Sequence, residues 1–223
     1  MGSVTDNLRR IKALIPDGVE LVAVSKFHPA HRLQEAYDAG QRVFGESRAN
    51  ELTEKAAALP EDIRWHFIGH LQTNKVRQVV AAASVIESVD SERLLRAIDR
   101  EATRTGRRVK VLLQVHVAME ETKFGFLPDE LLEFVTPELV DSLESVTIAG
   151  VMGMASNVDD RSRIEADFDQ LKSLFDLLAG GVMAGNRDFK ILSMGMSDDF
   201  ELAIARGSTA VRIGTDIFGP REY

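Results

Sequence analysis

Lys26 ends an apolar run, "VELVAVSKFHP", where a lysine is out of place unless something pairs with it or uses it. A primary amine condenses with a carbonyl to form an imine. At pH 7 a free lysine of pKa about 10.4 is neutral in only about one molecule in 2,500, so the reaction gains from burial and nearby cations. Two further stretches suit an anion. In "SMGMSDDFELAIARG" a glycine-containing turn leads into a helix whose expected N-cap is Ser197, with free backbone N–H groups at its start. In "RIGTDIFG", Gly214 lets a ligand approach the backbone and Thr215 adds a hydroxyl. An ordinary helix cap and an ordinary turn would look the same singly; two side by side favour phosphate. Arg212 lies between Val211 and Ile213, so a period of two turns it away from the face those residues share, into the interior, where a guanidinium needs an acceptor.

The elements that must position these groups alternate along the chain. Strands are predicted at 19–26, 42–46, 63–69, 84–88, 109–117, 146–154, 189–195 and 209–215. Between them lie amphipathic helices such as "AHRLQEAYDAG", "SERLLRAIDREATRTG", "PDELLEFVTPELVDSL" and "DRSRIEADFDQLKSLFDLLAGG". This alternation predicts an α/β fold, a single (β/α)8 TIM barrel with one extra N-terminal helix, forming one domain over 1–223; a doubly wound open sheet is the competing arrangement. In a barrel, chemistry belongs at the C-terminal strand ends, where Lys26, Glu46, Ser47, His70, His116, Ser197 and Thr215 fall near the mouth.

Bulk composition narrows the function. With 27 basic and 35 acidic residues the chain carries −8, which argues against sequence-independent binding of nucleic acid or anionic membrane. The absence of cysteine excludes disulfides and thiolate chemistry. The N-terminal stretch lacks the apolar run of a signal peptide, so a cytoplasmic protein is expected. His66 and His70 are four apart in "WHFIGHLQTNK", but the first is predicted in a strand and no carboxylate partner is evident, so no metal site is expected. The acidic stretch from Asp159 to Asp176 reads as a solvated face, and methionines 152, 154, 194 and 196 as core filler, with Met152 placed to touch a ligand ring. The run Gln72 to Lys75 at the mouth reads equally well as a site for a partner or second ligand and as a capped helix start.

An imine-forming lysine, an anion cradle and an inward arginine together suit a phosphorylated aldehyde, pyridoxal 5′-phosphate (PLP). Through "LVAVSK", "AGQRVFGES", "WHFIGHLQTNK", "SMGMSDDFELAIARGSTAVRIGTDIFG" and the terminal "REY", the chain resembles the pyridoxal phosphate homeostasis protein family, whose members are fold-type III barrels related to the alanine racemase N-terminal domain. That resemblance implies that Lys26 carries PLP as an imine, that Ser197, Gly214 and Thr215 hold its phosphate, and that Arg212 faces the pyridine nitrogen. It places Ser47 where the family usually has an asparagine near the phenolic oxygen, and Met152 where a residue packs on the ring; His116 and Phe124 also depart from the family's commoner residues.

The site suits either a racemase-like enzyme or a cofactor carrier. Two-base racemisation needs a second acid–base group opposite Lys26. The only tyrosines are Tyr37, on a predicted outer helix, and Tyr223, and the eight predicted units fill the chain. A permanent cation at the pyridine nitrogen also weakens the ring as an electron sink. The expectation is therefore a monomeric PLP carrier with no catalytic residue, serving PLP-requiring apo-enzymes; an imine-forming sugar-phosphate aldolase fits the lysine but not the motifs.

Overall fold

The computed structural model describes residues 3–120 and 124–220. Eight parallel strands close into a barrel in chain order: β1 (Glu20–Val24), β2 (Val43–Glu46), β3 (Arg64–Phe67), β4 (Val85–Val89), β5 (Val109–Val115), β6 (Val146–Gly153), β7 (Ile191–Ser193) and β8 (Ala210–Ile213). The last strand pairs with the first, from Glu20 opposite Ala210 to Ala23 opposite Ile213, which excludes the open doubly wound sheet. Outside lie α1 (Val4–Leu14), the extra N-terminal helix, then α2 (Ala30–Asp38), α3 (Ala49–Ala58), α4 (Val76–Ala82), α5 (Glu92–Thr105), α6 (Pro128–Phe134), α7 (Pro137–Asp141), α8 (Arg161–Gly180), α9 (Phe200–Ala205) and α10 (Thr215–Phe218).

The strand pattern divides the apolar residues into two sets. One parity of each strand, including Ala23, Phe44, Phe67, Ile86, Val111 and Val211, packs with helix residues such as Leu33, Leu52 and Ile98 in the main core. The other parity fills the barrel, where Val85, Leu112, Ala149 and Met152 form a small separate cluster with Ile191 against it. Fully burying one such aliphatic side chain contributes about 1.5–3 kcal/mol, so the larger outer layer holds most of the stability. The smaller interior leaves room for polar groups.

Several predicted boundaries shift. β1 ends at Val24, so Lys26 lies in the turn beyond it, and β5 ends at Val115, which puts His116 past the strand. β7 shrinks to three residues. The segment read as one helix at 128–143 is two, because Pro137 lacks the N–H a continuing helix needs and instead opens α7, with Thr136 as its N-cap. α9 starts at Phe200 with Asp199 at its N-cap, not Ser197; the Asp199 carboxylate turns back to accept the Met196 N–H at 2.6 Å. Residues 73–75 form a 3-10 turn before α4, and neither start has a side-chain cap. On α8, Asp167 is buried, not solvated, and accepts the Ser156 N–H at 2.8 Å. Met196 is exposed, unlike the filler expected there.

Candidate cofactor site

The turn after β1 carries Lys26 between two residues tied to α3. Ser25 donates its hydroxyl to Glu46 Oε1 at 2.6 Å, and its carbonyl accepts from Lys55 Nζ at 2.9 Å. Phe27 donates its backbone N–H to Glu51 Oε2 at 2.9 Å. Phe27 has φ +67°, the only positive φ at a non-glycine among the described residues, a conformation that costs an L-residue about 1–2 kcal/mol. Its ring lies under the Arg48 guanidinium, 4.2 Å from the ring centroid. Lys55 and Glu46 are both buried and pair at 2.7 Å. Burial pushes the Glu46 carboxyl above the usual carboxylate range, against the Lys55 charge and the hydrogen bonds from Lys55 and Ser25; its second oxygen has no hydrogen-bond partner.

Arg212 is held from inside the barrel. Its strand parity does turn it inward, 4% exposed, while Val211 and Ile213 face the helices. One guanidinium nitrogen donates to Ser193 Oγ at 2.5 Å and lies 3.7 Å from Glu87 Oε2; the other donates to the Gly153 carbonyl at 2.9 Å. Ser193 donates its own hydroxyl to Glu87 Oε2 at 2.6 Å, and Glu87 Oε1 meets His66 Nδ1 at 2.6 Å. Burial alone would raise Glu87, but the hydrogen bond from His66, the charges of His66 and Arg212 and the Ser193 hydroxyl hold it below the usual carboxylate range. An ionised carboxylate only accepts, which places the His66 ring proton on Nδ1. For Arg212 burial prevails, lowering its pKa despite the opposing charges of Glu87 and Asp199.

The histidines therefore do have carboxylate partners: His66 has Glu87 and, at 3.9 Å, Glu20, while His70 meets Asp90 at 3.1 Å and stacks on Phe124 with centroids 3.8 Å apart. Each histidine has its own acid, on β4 and just after it, so the two rings are not directed at one point.

Strand pairing gathers the predicted site residues at the C-terminal mouth. The β1–β8 register runs to Ala23 opposite Ile213, and a Cβ on Gly214 would stand 3.0 Å from the Val24 carbonyl oxygen, so Gly214 lies against the strand end that leads to Lys26. Ser47 follows β2, which pairs with β1; a Cβ on Gly69 would meet the Ser47 carbonyl at 2.2 Å, so a glycine there lets the two loops touch. Ser47 also lines a cavity of about 470 Å³ with His70, Gln72 and Lys75. Met152 is buried opposite Ser193, one residue from the carbonyl that Arg212 holds. Ser197 sits half-buried in the turn before α9, and Thr215 opens α10; neither helix start has a side-chain cap. A primary amine, a buried guanidinium and two uncapped helix starts form a donor set that fits a phosphorylated aldehyde.

Four contributors were missed by sequence reasoning: Glu51, Lys55, Glu87 and Ser193. Glu87 and Ser193 had a signal, since both stand at inward parity in apolar strands. Lys55 had one too, three residues after Leu52 on the apolar face of α3.

The fold and this mouth define a class, the alanine-racemase type of barrel, and the family model described as "Alanine racemase, N-terminal domain" matches residues 1–222. Within it, the chain belongs to the pyridoxal phosphate homeostasis protein family. It is 40% identical to the Homo sapiens protein of that name, over 91% of this chain and 77% of the relative, and 37% identical to the Schizosaccharomyces pombe one, over 91% and 84%. The structure of PipY from Synechococcus elongatus with PLP bound superposes with a TM-score of 0.86 at 38% identity, covering 97% of this chain and 100% of that one. Alanine racemase from E. faecalis shares the fold alone, with a TM-score of 0.75 at 17% identity over 98% of this chain and 58% of that one.

Proposed function

We propose that the protein binds PLP through Lys26 and acts in PLP homeostasis, as a monomeric, non-catalytic cytoplasmic carrier that supplies PLP-requiring apo-enzymes. The observation that carries this reading is that Lys26, in the turn that follows β1, and Arg212, on β8, belong to two neighbouring units whose strands are hydrogen-bonded to each other. The PLP-bound relative and the names of the curated relatives support it. The Lys26 amine adds to the aldehyde carbon and one water leaves, so C=N replaces C=O. Bound PLP supplies a ring that stabilises carbanions, and the residues here limit that use. Arg212 presents to the ring nitrogen a cation whose own partners, Ser193, Gly153 and Glu87, belong to the protein. Ser197, Gly214 and Thr215 bind the phosphate, Met152 packs on the ring, and Ser47 lies near the phenolic oxygen. Tyr37, which a second base would require at the mouth, is on α2 with its hydroxyl on Asp62 at 2.7 Å; Tyr223 lies outside the described residues.

The test is spectroscopic and chemical. The purified protein with PLP should show a visible imine band, and borohydride reduction followed by peptide mass analysis should place the pyridoxyl group on Lys26. Lys26→Ala should lose the band and keep the far-ultraviolet circular dichroism of the parent. An adduct on Lys75 or Lys123 instead would overturn the assignment; Lys123 lies outside the described residues. Robust turnover of alanine, serine or another amino acid would replace the carrier with an enzyme.

A further inference from the structure

Lys26 has both of its flanking peptide units held by one helix. The carbonyl of Ser25, which belongs to the peptide before Lys26, accepts from Lys55 Nζ at 2.9 Å. The N–H of Phe27, which belongs to the peptide after it, donates to Glu51 Oε2 at 2.9 Å. Fixing both peptide planes fixes the two backbone torsions at Lys26, and with them the direction in which its side chain leaves the turn. Lys55 and Glu51 stand one helical turn apart on α3 and bond each other at 3.2 Å. With Glu46 Oε1 at 2.7 Å, the three acceptors on Lys55 match the three protons of an ammonium group.

A tie that merely packed α3 against β1 would not need this arrangement. Leu52 of α3 and Leu21 and Ala23 of β1 already belong to one apolar core, whereas the ionic tie buries a lysine and supports a left-handed Phe27, the residue next to Lys26. Strain held in place by surrounding groups is a device for orienting a reactive group.

We infer that Glu51 and Lys55 are positioning residues that hold the turn so that the Lys26 amine meets its aldehyde partner in one orientation. The inference rests on the reading of Lys26 as the PLP-bearing lysine. It assigns Glu51 to the Phe27 N–H and Lys55 to the Ser25 carbonyl.

Glu51→Ala removes the acceptor, and Glu51→Gln keeps an acceptor oxygen without the charge; Glu51 is partly exposed, so both variants keep the barrel. Two readouts are needed, hydrogen exchange of the Phe27 amide in cofactor-free protein and the rate of PLP release from loaded protein. Losing one hydrogen bond to a charged group corresponds to about a tenfold change. Glu51→Ala should speed both by about tenfold, Glu51→Gln should stay within about threefold of the parent, and the apo melting temperature should move little. Unchanged Phe27 exchange in Glu51→Ala overturns the contact. Freed exchange with unchanged release overturns the positioning role, as does equal impairment in the alanine and glutamine variants. Lys55→Met tests the other side by slowed PLP capture; if that variant does not fold, the Glu51 pair decides alone. Absence of a Lys26 adduct in the borohydride-treated parent protein would instead refute the PLP reading, a separate result.

Discussion

Glu46 on β2 and Glu87 on β4 are both fully buried glutamates of one barrel, and their carboxyls shift in opposite directions. Glu46 faces α3 on the Lys26 side and has one oxygen satisfied by Ser25 and Lys55, with the other unpartnered. Glu87 faces the barrel interior on the Arg212 side and has both oxygens engaged, by His66 and by Ser193, with a guanidinium beyond. Burial opposes ionisation at both; at Glu87 a complete shell of donors prevails over it, and at Glu46 it does not. The two reactive ends of the site are thus built differently. Arg212 sits in a closed charge network, while Lys26 sits on a turn steered from outside.

The sharpest way to break this contrast is Arg212→Gln. It leaves Glu87 with His66 but without its cation, and removing one partner of a buried pair costs about 3–5 kcal/mol. The cofactor-free protein should melt roughly 10 °C lower, and PLP should be released faster. This departs from a purely ligand-facing arginine, which would leave apo stability unchanged. Glu87→Gln should cost less, about 2–3 kcal/mol, because the amide still bonds His66 and Ser193.

The pH dependence separates the two acids. Because the folded-state pKa of Glu87 is depressed below the ordinary 4.5, its stabilisation is present above that value and is lost as pH falls through the folded one. Urea midpoints of Glu87→Gln should therefore fall less steeply below pH 4.5 than those of the parent. Glu46 runs the other way: native protein holds its proton longer than unfolded chain, so stability declines as pH rises from 4.5 through the raised value. Glu46→Gln should remove that decline and change neutral-pH stability by no more than about 1 kcal/mol. The smallest effect is expected at the rim. Serine is shorter than the family's usual asparagine, so Ser47→Asn should retain PLP at least as well as the parent in an absorbance titration.

The architecture was legible because its signals are local. Strand and helix periods and turn residues alternate cleanly, and parity alone directed Arg212 inward. Lys26 stood out for the same reason, as an amine after an apolar strand, though that strand stops at Val24 and leaves Lys26 in the turn. What escaped were relations between distant elements. Nothing near His66 in the chain announces Glu87, 21 residues on, because parallel pairing of β3 with β4 joins them. The Ser197 cap failed for a different reason: three polar residues in a row could each begin the helix, and Asp199, through its bond to the Met196 amide, was the one placed to do so. Lys55 was hidden by its charge, which reads as solvent-facing although its position on α3 faces inward.

Closure of β8 onto β1 carries a consequence for when this protein first becomes competent. Lys26 precedes Arg212 in the chain and is made first, and the close approach of Gly214 to the Val24 carbonyl forms only when β8 docks on β1. A nascent chain with seven strands made has the amine but lacks the guanidinium and the last turn beside it. The Lys26 amine and the Arg212 guanidinium therefore share one barrel end only after the closing strand is in place, and a chain lacking β8 presents the lysine without its counterpart.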